Sequence, residues 1–294
     1  DLNNYSIPVS DVLKQHFDEE NLLYWMAFQI LMGNVDTQNR NVYLYSPLNS
    51  DIWYFIAWDN DGCLMRSEYK LKNYSDQSSW EKGISNYWGN ILFQRCLKSR
   101  SFREKLNDAI LDLREYLNKD MLTSKIESYK NVLKLYLYSM PDAEYEPLTS
   151  EQYDQIAASL PDEIEKNYQL YLESLETPMP FFVGVPTIDG DKLKFNWDVS
   201  YDLDAEDITY SVEVAGDYLF RDVIYQNTTL TVPEAEMDLP EAGQYFVRVR
   251  ATNTSGKTQD AFDYYITDEG KHYGMKCFYV TEDNTVEEDD YEED

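Results

Sequence analysis

Gly33-Asn34-Val35-Asp36-Thr37-Gln38-Asn39-Arg40-Asn41-Val42-Tyr43-Leu44-Tyr45 runs through the turn-rich Ser46-Pro47-Leu48-Asn49-Ser50 to Trp53-Tyr54-Phe55-Ile56-Ala57-Trp58-Asp59-Asn60-Asp61-Gly62. Ahead of it, apolar residues recur at helical spacing from Asp11 to Gln29. Asp18 can cap a helix there, Glu19 and Glu20 fall in its first turn, and Gly33 is a C-terminal stop. The spacing therefore predicts a buried helix that ends at Gly33-Asn34. The apolar runs Val42–Tyr45 and Ile52–Trp58, separated by turn formers, predict a β-hairpin.

Working outward, helix-start signals succeed the hairpin. They predict helices around Trp80–Leu97, from the capping box Ser101-Phe-Arg-Glu104, from about Ser124, and from the capping box Thr149-Ser-Glu-Gln152. The pattern changes at Thr177-Pro178-Met179-Pro180. From Phe182 to Ile266 short alternating strands are separated by Asp/Gly, Asn-Thr and Pro turns, the spacing of a two-sheet sandwich. The fold class expected is multidomain α+β, with a mostly helical domain over 1–178, an all-β domain over 179–267, and an extension with an acidic, disordered tail over 268–294.

The 294 residues carry 55 acidic and 25 basic groups, a formal net charge of -30. Such a surface repels phosphate backbones and anionic lipid, so no nucleic-acid binding is expected. Residues 1–178 hold 17 basic and 28 acidic groups, whereas 282–294 hold nine acidic and none basic, which predicts a solvated run. A hydrophobic fraction of 43% with 26 Tyr and 6 Trp excludes general disorder. No apolar run approaches the ~20 residues of a membrane span. Cys63, Cys96 and Cys277 are too few and too scattered for a disulfide framework or a zinc site. The chain starts with Asp and shows no basic-then-apolar leader, so any signal or upstream domain is expected to lie outside it.

Helix, polar loop with Asp-x4-Asn, hairpin, then Asp after the second strand is the layout of a protein-kinase catalytic loop and metal-binding loop. Phosphoryl transfer needs a carboxylate that orients the attacking hydroxyl and takes its proton, the role for Asp36. An amide five residues on can ligate Mg²⁺ and brace the loop, the role for Asn41. A strand-end carboxylate must hold the ion between nucleotide phosphates, because hard oxygen ligands suit it. Asp59 fits this role, with Asp61 as a second candidate. Against this, a loop Asp after a helix is ordinarily a cap or turn former. Trp25, Trp53 and Trp58 read as packing residues, His16 and His272 as surface or packing, and the cluster Arg95, Lys98, Arg100, Arg103, Lys105 as a solvated helix face.

The run Leu22-Leu-Tyr-Trp-Met-Ala-Phe-Gln-Ile-Leu-Met-Gly-Asn-Val-Asp36, with Asn41-Val-Tyr-Leu-Tyr and Trp58-Asp-Asn-Asp61, resembles the CotH family, named for spore coat protein H. Trp88-Gly-Asn-Ile-Leu-Phe-Gln-Arg and Ser101-Phe-Arg-Glu-Lys-Leu resemble its later helices. The likeness spans roughly 10–176 and implies a divergent protein-kinase-like fold and ATP- and Mg²⁺- (or Mn²⁺-) dependent phosphorylation of serine. Its implied substrates are basic, Ser-rich coat or cell-surface proteins, outside the bacterial cell or on the spore coat. It assigns Asp36 to catalysis and Asp59 to the metal. Only 35 residues precede Asp36, too few for a β-rich N-terminal lobe, so the chain alone is expected not to turn over ATP. Leu239-Pro-Glu-Ala-Gly-Gln-Tyr245 through Asn253-Thr-Ser-Gly256 resembles the F strand of a fibronectin type III domain, implying an immunoglobulin-like sandwich available to cell-surface partners. Two further readings stand beside the kinase: a surface adhesion or carbohydrate-binding protein, and a pseudokinase scaffold.

Overall fold

The computed structural model describes residues 1–37, 41–65, 78–268 and 270–289. It is mixed α+β. Its described residues fall into two compact units, one of 1–65 with 82–172 and one of 78–81 with 173–289.

The first unit contains α1 (Val9–His16), α2 (Glu19–Met32), β1 (Tyr43–Tyr45), β2 (Tyr54–Ile56), α3 (Ile91–Lys98), α4 (Arg100–Tyr116), α5 (Lys119–Leu137) and α6 (Ser150–Leu175). α2 is apolar on nearly all sides and is buried accordingly, with Leu22, Met26, Ala27 and Leu31 fully enclosed. Trp25 is its centre, with ring centroids 4.9 Å from Phe55, 5.8 Å from Phe93 and 6.4 Å from Tyr87. Asp18 caps the helix by accepting from the Asn21 N–H at 2.9 Å. The Asn21 side chain in turn holds Phe55, donating to its carbonyl and accepting from its N–H. The hairpin is thereby fixed on α2, in register Tyr43↔Ile56 and Tyr45↔Tyr54.

Local details depart from the sequence reading where a better cap lies nearby. The expected helix over Trp80–Leu97 is a 3-10 turn, Gly83–Tyr87, followed by α3, because Asn90 accepts from the Leu92 N–H and restarts the helix. The box at Ser101 does not form. α4 already starts at Arg100, and Glu104 pairs with Arg100 instead. α5 begins at Lys119 rather than Ser124, with Asn118 as its cap. The box Thr149/Gln152 is formed in both directions, at 2.9 and 3.2 Å. Arg95 is not on a solvated face. It is buried, donates to the carbonyls of Leu2 and Ile7, and lies 5.1 Å from the Tyr5 ring centroid, so it pins the first residues of the chain.

The second unit is antiparallel. β5 (Ile208–Ala215), β6 (Val223–Leu230), β8 (Gly243–Asn253), β9 (Thr258–Asp260), β12 (Met275–Val280) and β13 (Val286–Glu288) form one sheet, in the order β13-β12-β8-β5-β6 with β9 also on β8. β3 (Thr187–Asp189), β4 (Lys192–Asn196) and β7 (Glu234–Asp238) form a second, in the order β3-β4-β7. One core containing Phe195, Trp197, Val212, Val249 and Phe278 joins them. The outer face of β8 and β12, with Phe246 and Met275, packs with Tyr218, Phe220 and Tyr265, the last of these on the hairpin of β10 (Tyr264–Thr267) and β11 (Gly270–Tyr273). The Tyr245 hydroxyl donates to the Glu241 carbonyl at 2.8 Å, as the corner motif requires.

The sheet runs beyond residue 267, because Met275–Val280 is mostly buried and pairs along β8. The acidic run is not solvated throughout. The Thr281 and Thr285 hydroxyls bond at 2.8 Å and close a turn, after which Val286–Glu288 pairs with β12. Val286 packs on the core and Lys276 bonds Glu288 at 3.0 Å, offsetting the charge repulsion there. Residues 290–294 of the expected tail lie outside the described residues.

Candidate active site

The end of α2 shows how the two acidic loops meet. A helix leaves its last carbonyls without intrahelical partners, and here each finds one. Gly33, left-handed at φ 65, donates to Ile30 and Asn34 donates to Gln29, both at 3.1 Å, a Schellman closure that glycine permits. The Asn167 side chain donates to the Leu31 carbonyl at 2.9 Å. The Met32 carbonyl accepts from the Leu64 N–H at 2.8 Å, which ties the chain just after the 59–62 turn to the helix end.

Asn34 then organises both loops. It is buried, and its Nδ2 donates to Gln29 Oε1 at 3.1 Å and to Asn60 Oδ1 at 3.2 Å, while its Oδ1 accepts from the Asp36 N–H at 3.2 Å. One amide thus braces both the Asp36 loop and the turn Asn60–Gly62. The Asp36 loop is held from below as well. The Asn86 Nδ2 donates to the Val35 carbonyl at 3.1 Å, and the Thr37 hydroxyl lies 3.0 Å from that of buried Tyr87. Burial raises the Tyr87 phenol above its ordinary range, so it stays neutral. Gln29 Nε2 and Asn86 Oδ1 are buried with no hydrogen-bond partner among the described residues.

Asp36, Asp59 and Asp61 are exposed. A Cβ built on Gly62 would lie 3.7 Å from Asp36 Oδ2, so the Asp36 carboxylate stands beside the last residue of the Asp59-Asn-Asp-Gly turn. Asp59 takes a left-handed conformation, φ 50 and ψ 58, three residues beyond β2 rather than at a strand end. Asp tolerates this region better than most residues, and the turn aims its side chain differently from a strand. Asn41 is also left-handed at φ 55, just ahead of β1, and among the described residues it makes no side-chain hydrogen bond. The structure therefore brings Asp36 to the 59–62 turn through Asn34, and does not bond Asn41 to either. Cys63 comes directly after the turn, its Sγ 3.9 Å from Asn60 Oδ1. Burial first and the Asp61 charge second push its thiol up to about 12.

In the sequence Gly33-Asn34 reads only as a helix stop, and Asn34, Asn60, Gln29 and Asn86 do not stand out as site residues. An amide immediately after a helix-ending glycine and two residues before an acidic loop residue is the signal that could have found the first of them. Trp53 and Trp58 are not packed away, being 42% and 54% exposed. The Trp58 ring instead pairs with Tyr43 at 5.1 Å, making an aromatic surface next to Asp59.

Among the described residues no group of three or more His, Cys, Asp or Glu is placed to hold a metal ion by itself. Exposed carboxylates and amides on two adjoining loops are nevertheless hard oxygen donors. They suit a Mg²⁺ ion that keeps water or takes phosphate oxygens for its remaining positions.

The family model described as CotH kinase protein matches residues 1–171, more than half of the chain, and the chain belongs to that family. Among curated proteins none matches it. Among the described residues no helix is long and apolar enough to cross a membrane.

Proposed function

We propose that the first unit is the C-terminal lobe of an atypical serine kinase, with phosphotransfer centred on Asp36 and the Asp59–Gly62 turn. The observation that carries this reading is the Asn34 clamp, which joins the two acidic loops over the end of α2. In this reading Asp36 orients a serine hydroxyl and takes its proton, and being exposed it is open to a protein substrate. Asp59, with Asp61 and Asn41, holds the Mg²⁺ or Mn²⁺ that accompanies ATP. That ion would supply charge neutralisation between the phosphates. Catalysis of this kind is mainly positioning, which is what rigid loop anchors provide.

The net charge of -30 favours a basic, Ser-rich protein substrate. We assign the second unit as a fibronectin type III-like sandwich, and the site of action as the bacterial cell surface or spore coat. The test is incorporation of radiolabelled phosphate from ATP into a basic Ser-rich peptide, using this chain and a longer chain with its upstream sequence. Metal-dependent labelling of serine by the longer chain supports the proposal. Binding of metal-ATP by the longer chain without labelling of any protein would replace it with a pseudokinase scaffold.

A further inference from the structure

The two sheets of the second unit leave a cleft of about 610 Å³ at one side, lined among others by Phe195, Tyr225, Asn196, Asn227, Glu234 and Glu236. Both strands beside it are terminal in their sheets, β6 in one and β7 in the other. Terminal strands expose unpaired backbone groups and are commonly guarded by charge, shortness or proline. β7 is guarded by Glu234, Glu236 and Asp238 at alternate positions. β3 and β13, at the opposite ends of the two sheets, are three residues long and carry acids.

β6 lacks charge, shortness and proline, and its guard is an irregularity near each end. Val223-Ile-Tyr-Gln-Asn-Thr-Thr-Leu230 is eight residues long and β-branched-rich, with no charged residue, proline or glycine. Register shifts occur towards both of its ends, but Tyr225, Gln226 and Asn227 pair regularly with Val214, Glu213 and Val212, so the middle of the strand is straight ladder. Val223 and Ile224 are 40% and 43% exposed. Such a strand is a template for another extended chain.

Charge selects the occupant. Lys194, the cation of the lining, pairs with Asp189 and also lies opposite Glu236 and in the field of Glu234, so one cation faces two exposed carboxylates that make no contact ion pair of their own among the described residues, and the lining stays acidic. We infer that this cleft docks an extended, basic segment of a partner protein, added as a strand on β6 with Lys or Arg side chains reaching Glu234 and Glu236 and an apolar one against Tyr225. A second copy of the chain is disfavoured because each copy carries -30. The inference concerns the second unit only and does not depend on phosphotransfer.

The test uses the whole chain without nucleotide and a strand-length synthetic peptide in which Lys alternates with Val and Ser. The peptide is expected to bind and to shift the backbone amide resonances of residues 223–230. Its Glu-for-Lys counterpart should bind at least about tenfold more weakly. The Lys peptide N-methylated at successive residues should not bind, because it cannot pair as a strand. The double variant Glu234→Gln/Glu236→Gln, with its circular dichroism unchanged, should lose the preference for Lys. Absence of binding, binding that survives N-methylation, or an unaltered Lys preference in the double variant overturns the proposal. So does a dimer of the free chain formed through β6, or a chito-oligosaccharide that shifts the same resonances when the peptide does not.

Discussion

Asn34 Nδ2 lies 3.2 Å from Asn60 Oδ1, joining residues 26 positions apart, while the same side chain accepts from the Asp36 N–H. Because Asn34 is buried, its removal leaves Gln29 Oε1 without this donor in the interior. Asn34→Ala is expected to cost about 1–3 kcal/mol. Asn34→Asp should be no better tolerated, since it faces two oxygen acceptors with a third. A denaturation midpoint checks the cost.

The two acidic loops should separate by kinetic signature. In the longer chain of the proposed assay, Asp59→Asn removes a charge from the proposed metal site and is expected to weaken metal-nucleotide binding in calorimetry. Asp36→Asn should leave that binding nearly intact and lower phosphate incorporation by orders of magnitude. Unchanged incorporation in Asp36→Asn would place the proton acceptor elsewhere.

Trp25 sits among Phe55, Phe93 and Tyr87, and its buried indole N–H has no hydrogen-bond partner among the described residues. Trp25→Ala should cost about 3–5 kcal/mol. Trp25→Phe should cost well under half of that, because it keeps a ring and removes an unsatisfied donor. Urea unfolding of the two variants side by side tests the difference.

Acid should weaken the attachment of α5, which has no fully buried residue, to α6. Hydrogen bonds from Lys134 and Lys119 of α5 hold Asp154 and Asp162 of α6 below their ordinary value; Glu165 of α6 is also held low, by Gln169 of the same helix and then by Arg114 of α4. For depressed carboxylates the stabilisation is present above the ordinary values, 3.8 for Asp and 4.5 for Glu, and is lost as pH falls through the lower folded ones. The thermal midpoint should therefore drop between about pH 5 and 3. The drop should be shallower in Lys119→Ala/Lys134→Ala, and parallel curves for variant and parent would show that these pairs contribute nothing.

In the second unit Tyr245→Phe removes the hydroxyl bond to the Glu241 carbonyl and keeps the stacking on Phe278, whose ring centroid is 5.9 Å away. A loss of about 0.5–1.5 kcal/mol is expected by chemical denaturation.

How much of the structure is legible in the sequence depends on how local each signal is. Asp18, Gly33 and the Thr149/Gln152 box act within one turn of chain, and the helix ends lie where they mark them. The strands of the second unit are legible through alternation, although β13 is hidden by the charge around Val286, of which Glu288 is paired by Lys276 from a neighbouring strand. The acidic residues of the candidate site can be named from spacing. Their clamp cannot, because Asn34, Asn60 and Asn86 work through partners tens of residues away. Arg95 escapes a sequence reading for the same reason: its partners are carbonyls of the first residues of the chain, which carry no sequence signature.

Asn167 carries a consequence for synthesis. Its side chain meets the Leu31 carbonyl across 136 positions, and a Cβ built on Gly33 would approach Asn167 Nδ2 to 2.6 Å, so that glycine and this amide fit as a pair. A chain still emerging from the ribosome presents Asp36 and Asp59 long before the residue that seals the helix behind them is made. The candidate site therefore cannot be fully locked on a nascent chain that stops short of α6, and completing it is among the last events in the birth of this unit.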